Sequence, residues 1–159
     1  MSEVVIHLRH RAVVETLERR VMLSGWSDVT AFVPISDGAQ LALLMPNGSV
    51  LVHGGAGSPS TAWYELTPDD TGSYMNGSWT QLASMNVGRL YFGSDVLPTD
   101  QVYVVGGEVT LVNGQPTADD ANSAEIYDIN SNTWTNAASD PKTQVGDSST
   151  ELLPDGKAR

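Results

Sequence analysis

The 159-residue chain contains no cysteine. That absence removes disulfides, thiolate nucleophiles, iron–sulfur clusters and Cys-ligated zinc together, while leaving the compartment open. Basic residues are scarce: 8 Lys plus Arg stand against 19 Asp plus Glu, a formal net charge of -11. Arg9, Arg11, Arg19 and Arg20 lie in the first twenty positions, so from Val21 onward 4 basic residues meet 16 acidic ones. A body this acidic repels phosphate backbones, which excludes nucleic acid as an expected partner. Cationic partners and calcium stay open. Long apolar runs are missing too. Stretches such as Leu41 to Met45 have the length of a buried strand and fall far short of the roughly 20 residues of a membrane helix. No membrane span is expected. What the chain does have is 40% apolar residues, enough for the core of one ordinary domain.

Two textures divide it. Residues 1–25 carry charges of both signs, with Val13, Val14, Leu17 and Val21 at helical spacing. This predicts a short N-terminal helical segment. Glu15, Glu18, Arg19 and Arg20 interrupt any apolar stretch that a secretory signal would need. Leu17, Glu18, Arg20, Leu23 and Ser24 do resemble the "LE-x-R-x-x-LS" signature of exported proteins from planctomycete-type bacteria. That resemblance implies a sorting segment and an exported, extracellular or cell-envelope protein. Residues 26–35 read as a linker.

From residue 36 onward, short apolar runs alternate with Gly, Pro, Asn, Asp and Ser, the pattern of an all-β chain with tight turns. "QLALLM-PNGS-VLVHGG" reads as strand, turn, strand, with Asn47-Gly48 predicting a type I′ turn. "GSDVL-PTDQ-VYVVGG" repeats it, and "SSTELL-PDGK" begins it a third time. The prolines that open these turns, Pro46, Pro98 and Pro154, lie 52 and 56 positions apart. Each glycine pair, Gly54-Gly55 and Gly106-Gly107, precedes a Tyr strand (Tyr64, Tyr127) and then a Trp strand (Trp79, Trp134). A period near 50 with four strands per unit predicts propeller blades.

On those eight residues the chain resembles kelch repeats within the galactose-oxidase-like propellers, over roughly residues 36–159. The resemblance implies four-stranded antiparallel blades at 36–89 and 90–146, and the start of a third at 147–159. It also implies an incomplete propeller, which further blades of a longer chain or other copies would complete, or which stands as a decayed open form. A strand that ends against close backbone has little room for a Cβ, which accounts for the glycines. A large aromatic fills the gap between stacked blades, which accounts for the tryptophans.

No catalytic, cofactor-binding or metal-ligating residues are assigned, and no cofactor is expected. His53 has Val105 as its counterpart in the next repeat, so it reads as a packed, hydrogen-bonded histidine; His7 and His10 have no ligand pattern around them. "PDD" at 68–70 and "ADDAN" at 118–122 read as solvated turns rather than calcium loops. "GGAGS" at 54–58 lacks the Lys-Ser/Thr of a phosphate loop, and no G-x-S-x-G elbow is present. The expectation is a non-catalytic segment that binds a protein or carbohydrate ligand through the loops at 109–122 and 67–77. Trp63, Tyr74 and Tyr91 are its candidate sugar-stacking aromatics. The alternative is part of a galactose- or glyoxal-oxidase-like copper enzyme. The tyrosine–cysteine copper cofactor of those enzymes needs a cysteine this chain lacks, so that active site would lie outside it.

Overall fold

The computed structural model describes residues 34–36, 38–55, 57–117, 121–142 and 144–158. The sequence-predicted helix, sorting signature and most of the linker lie outside these. Every regular element among the described residues is a strand. The first sheet comprises β1 (Ala39–Leu44), β2 (Val50–Gly54), β3 (Trp63–Thr67) and β4 (Ser78–Gln81) in chain order. The short β5 (Arg89–Leu90) leads into β6 (Gly93–Val96) and β7 (Gln101–Val105). A hairpin, β8 (Val109–Val112) with β9 (Gln115–Thr117), interrupts the second sheet, which resumes with β10 (Ala124–Asp128) and β11 (Thr133–Ala137). The second sheet runs β6-β7-β10-β11, and β5-β8-β9 form a small third one. All pairings are antiparallel.

The proline-led turns share one geometry, and it is not type I′. Gly48 N–H donates to the Met45 carbonyl at 2.9 Å and Met45 N–H to the Ser49 carbonyl at 2.9 Å. Leu97–Gln101 and Leu153–Lys157 repeat both bonds. Positive φ falls on the third loop residue alone: Gly48 (85°), Asp100 (59°) and Gly156 (80°). These are three-residue loops made of a type I turn and one left-handed residue. Proline presets the φ of the first turn position, which a type I′ turn would need positive. The true two-residue turn is Asn113-Gly114, with φ of 52° and 75°, at the tip of β8–β9.

Strand alternation gives each sheet two faces. Leu51, His53 and Trp63 of the first sheet face Val102, Val104 and Tyr127 of the second, and all six are buried. Met45, Met85 and Phe92 complete this core. Trp134 closes it as expected of an inter-sheet aromatic: its ring lies 5.4 Å from Trp63 and 5.1 Å from Tyr127. Its Nε1 donates to the Ala83 carbonyl, on the segment that joins the sheets, at 2.9 Å.

The two tryptophans hold equivalent positions, but the two tyrosines do not. Counted from the glycine pairs, Tyr64 lies opposite Val52, where the second sheet has Glu125 opposite Val104. Tyr127 lies opposite Val102, a position that Leu66 holds in the first sheet. Trp79 then pairs with Leu66 and Trp134 with Tyr127.

Candidate functional site

The loops expected to carry binding lie at opposite ends of the sheets. The loop at 68–77 joins β3 to β4 beside the β1–β2 turn, where Tyr74 Oη donates to the Gly48 carbonyl at 2.7 Å. The segment at 106–123 joins β7 to β10 at the other end. One ligand pocket cannot draw on both.

The second end is the more elaborately built. Arg89, at 0% exposure, points its guanidinium into the base of the β7–β10 connection. Nη1 donates to the carbonyls of Gly106 (2.7 Å) and Ser123 (2.9 Å), and Nη2 to Ser123 Oγ (3.0 Å). Nη2 also meets Glu125 Oε1 at 3.0 Å in a fully buried ion pair. The carboxylate accepts further bonds from Asn86 N (2.7 Å), Asn86 Nδ2 (2.8 Å) and Val87 N (3.1 Å). One charged pair thus fixes the segment entering the second sheet to β10. Neither residue stood out in the sequence, because neither recurs in the other repeat.

Above this base the glycines perform as expected. Gly55 has φ of 94°, and a Cβ there would sit 2.6 Å from the Ser58 carbonyl oxygen. Gly106 has φ of 76°, and its Cβ would collide with the Val145 carbonyl. On this support stand the β8–β9 hairpin, which has no counterpart in the first sheet, and Tyr91, 47% exposed at a φ of 56°. Val112 at the hairpin tip is 49% exposed. Asp147 N–H donates to the Tyr91 carbonyl at 3.2 Å, which brings residues 145–150 alongside. An open cleft of about 240 Å³ lies there, bordered by Val105, Asp140, Lys142 and Ser148–Thr150.

The other candidates resolve differently. Trp63 is only 1% exposed, packed by His53, Phe92 and Trp134, so it is core rather than a sugar platform. Strand alternation turned it inward and its neighbour Tyr64 outward. Tyr74 is half-buried and held by its hydroxyl; Tyr91 alone of the three is exposed. His53 is fully buried, its Nε2 bonded to the Ser60 carbonyl at 3.0 Å and its Nδ1 to the Gln40 side-chain amide at 2.9 Å. Asp69 Oδ1 is engaged by its own loop, accepting from Thr71 N (2.9 Å), Thr71 Oγ1 (2.6 Å) and Ser73 N (2.8 Å). The Thr71 hydroxyl, then the Ser73 amide, hold its pKa below the usual value. Asp119 and Asp120 lie outside the described residues. Among the described residues no three of His, Asp and Glu converge as a metal site, and the chain offers no cysteine for a Tyr–Cys copper centre. Tyr127 Oη donates to Asn132 Oδ1 at 2.9 Å. Burial, then the Glu65 and Asp128 charges, push its pKa up to about 12.

No family model and no curated protein matches the chain. Solved structures do. The kelch-type protein YjhT is 23% identical at a TM-score of 0.57, covering 80% of this chain and 34% of its own. A fungal alcohol oxidase of the AA5 family, solved in complex with copper, is 25% identical at a TM-score of 0.43, over 59% of this chain and 17% of its own. The chain therefore spans about a third of the first and a sixth of the second. The sheets have the fold of kelch-type propeller blades.

Proposed function

We propose that these blades form a non-catalytic binding module whose ligand, a protein or a carbohydrate, is met at the β8–β9 end. The observation that carries this reading is the hairpin itself. It is added to the second repeat alone and stands on a buried ion pair, beside an exposed tyrosine in a left-handed backbone conformation. Strained, exposed residues on a rigid support suit ligand contact, because the scaffold maintains the geometry in advance. Export of the protein, on the Leu17 to Ser24 signature, belongs to the same proposal.

A glycan array and a binding-partner screen with the purified chain test it. Binding that Tyr91→Ala and Val112→Asp weaken roughly tenfold or more, with the unfolding midpoint unchanged, supports the site. Binding untouched by both variants overturns it. Copper-dependent oxidation of an alcohol by a longer protein containing these blades, with the copper site on its other residues, would favour the oxidase reading instead.

A further inference from the structure

We infer that Asn113 is a site of spontaneous succinimide modification, which turns the tip of the β8–β9 hairpin from neutral to anionic. The chain has three Asn-Gly pairs, Asn47-Gly48, Asn76-Gly77 and Asn113-Gly114, and all three asparagines are exposed. In such a pair the glycine nitrogen can approach the asparagine side chain, because no Cβ screens it. The Gly114 nitrogen bonds to Asn113 Cγ, its proton passing through solvent to the departing amide. The Cγ–Nδ2 bond breaks, ammonia leaves and a cyclic succinimide remains. Water then opens either imide carbonyl, giving aspartate or isoaspartate, each with a new carboxylate.

The fold restrains two of the pairs and not the third. Asn47 Oδ1 accepts from Ser49 N and Ser49 Oγ, both at 2.9 Å, and Gly48 N–H donates to the Met45 carbonyl at 2.9 Å. The Asn76 side chain is turned to the Asp69 carboxylate, and Gly77 N–H donates to the Tyr74 carbonyl at 3.2 Å. Gly77 is also closely walled, since a Cβ there would lie 2.5 Å from the Thr67 carbonyl oxygen. Both pairs must break such contacts before nitrogen and side chain can meet. At the third pair, neither the Asn113 side chain nor the Gly114 amide is hydrogen-bonded among the described residues, and a Cβ at Gly114 would meet open space. The hairpin is closed by three residue pairs, with Val112 opposite Gln115 at its end, so opening the tip is a local event.

The products change the tip. Val112, 49% exposed beside Asn113, then shares it with a carboxylate. Isoaspartate also adds a main-chain carbon, which a two-residue turn cannot take in without reshaping. The end proposed to meet a ligand thus changes charge as the protein ages, and the reaction stands whatever that ligand is.

Warming the full chain in mildly alkaline buffer, with peptide mapping by mass spectrometry at intervals, tests this. Asn113 is expected to convert roughly tenfold or more faster than Asn47 and Asn76, with isoaspartate among the products. In urea, where the fold no longer restrains them, the three sites should react within about threefold of one another. Conversion at Asn47 or Asn76 as fast as at Asn113 in the folded chain overturns the inference. So does aspartate without isoaspartate, which would mean direct hydrolysis, or an intact Asn113 in the folded chain while the unfolded one reacts. The folded-state ordering repeated in urea overturns it too, because local sequence rather than the fold would then set the rates.

Discussion

Arg89 and Glu125 meet at 3.0 Å with side-chain exposures of 0% and 1%, joining the segment between the sheets to the third strand of the second sheet. A buried pair of this kind is asymmetric in its energetics. Forming it gains little over a well-packed apolar pair, whereas losing one partner strands a charge away from water.

Glu125→Ala should therefore cost about 3–5 kcal/mol, measured by urea unfolding. The guanidinium would keep its bonds to the Gly106 and Ser123 carbonyls, while the Asn86 and Val87 amides would lose their acceptor. Arg89→Met combined with Glu125→Leu should recover part of that loss, because no charge is then stranded. It should not recover all, since those two amides stay unpaired and the Gly106 and Ser123 carbonyls lose their donor. A double variant no more stable than Glu125→Ala would show that the hydrogen bonds the two side chains make to their surroundings, and not the ion pair, dominate.

Trp134 separates packing from hydrogen bonding. Trp134→Ala opens a cavity against Trp63 and Tyr127 and should cost roughly 3–5 kcal/mol. Trp134→Phe keeps most of the ring contact but drops the bond to the Ala83 carbonyl, for a loss nearer 1 kcal/mol from that bond. Equal losses in the two variants would mean that the sheets are held together at the indole nitrogen rather than by aromatic area.

The alternation of apolar residues and turns made the two sheets legible in the sequence, since strand period and proline-led loops are local signals. The glycine pairs and Trp134 were legible for the same reason: they recur. What the repeat does not duplicate stayed hidden. Arg89 has Asp37 at the same distance from its turn proline, and Glu125 has Tyr64 at its register position, so neither the ion pair nor its site shows as a pattern. Trp63 misled for a related reason. Adjacent aromatics on a strand face opposite ways, and nothing local says which side holds the neighbouring sheet.

Gly106 and Gly156 both have left-handed φ, 76° and 80°, but differ in their surroundings. A Cβ at Gly156 meets open space, whereas one at Gly106 collides with the Val145 carbonyl. Gly156→Ala should thus cost only the backbone strain, about 1 kcal/mol. Gly106→Ala must also displace residue 145, whose carbonyl accepts from Gly107 N–H, and should cost at least twice as much. Thermal unfolding of the two variants side by side checks the ordering. Equal midpoints would mean that the 145–150 segment yields freely.

Tyr127 gives the fold an alkaline limit. Its pKa is raised from the model-peptide value of 10.0 to about 12, first because burial disfavours phenolate and then because Glu65 and Asp128 repel it. Between these values the unfolded chain releases a proton that the folded chain keeps, so by linkage stability falls as pH rises. The contribution is fully present below pH 10 and is lost as pH climbs through the folded-state value. Urea midpoints measured from pH 8 to 11.5 should decline above pH 10, and Tyr127→Phe should flatten that decline. The variant also loses the bond from Tyr127 Oη to Asn132 Oδ1, so its midpoint at pH 8 should lie below that of the parent. The two midpoint curves should then converge as pH rises. Parallel curves across the whole range would assign the alkaline loss to other tyrosines and leave Tyr127 with a packing role alone.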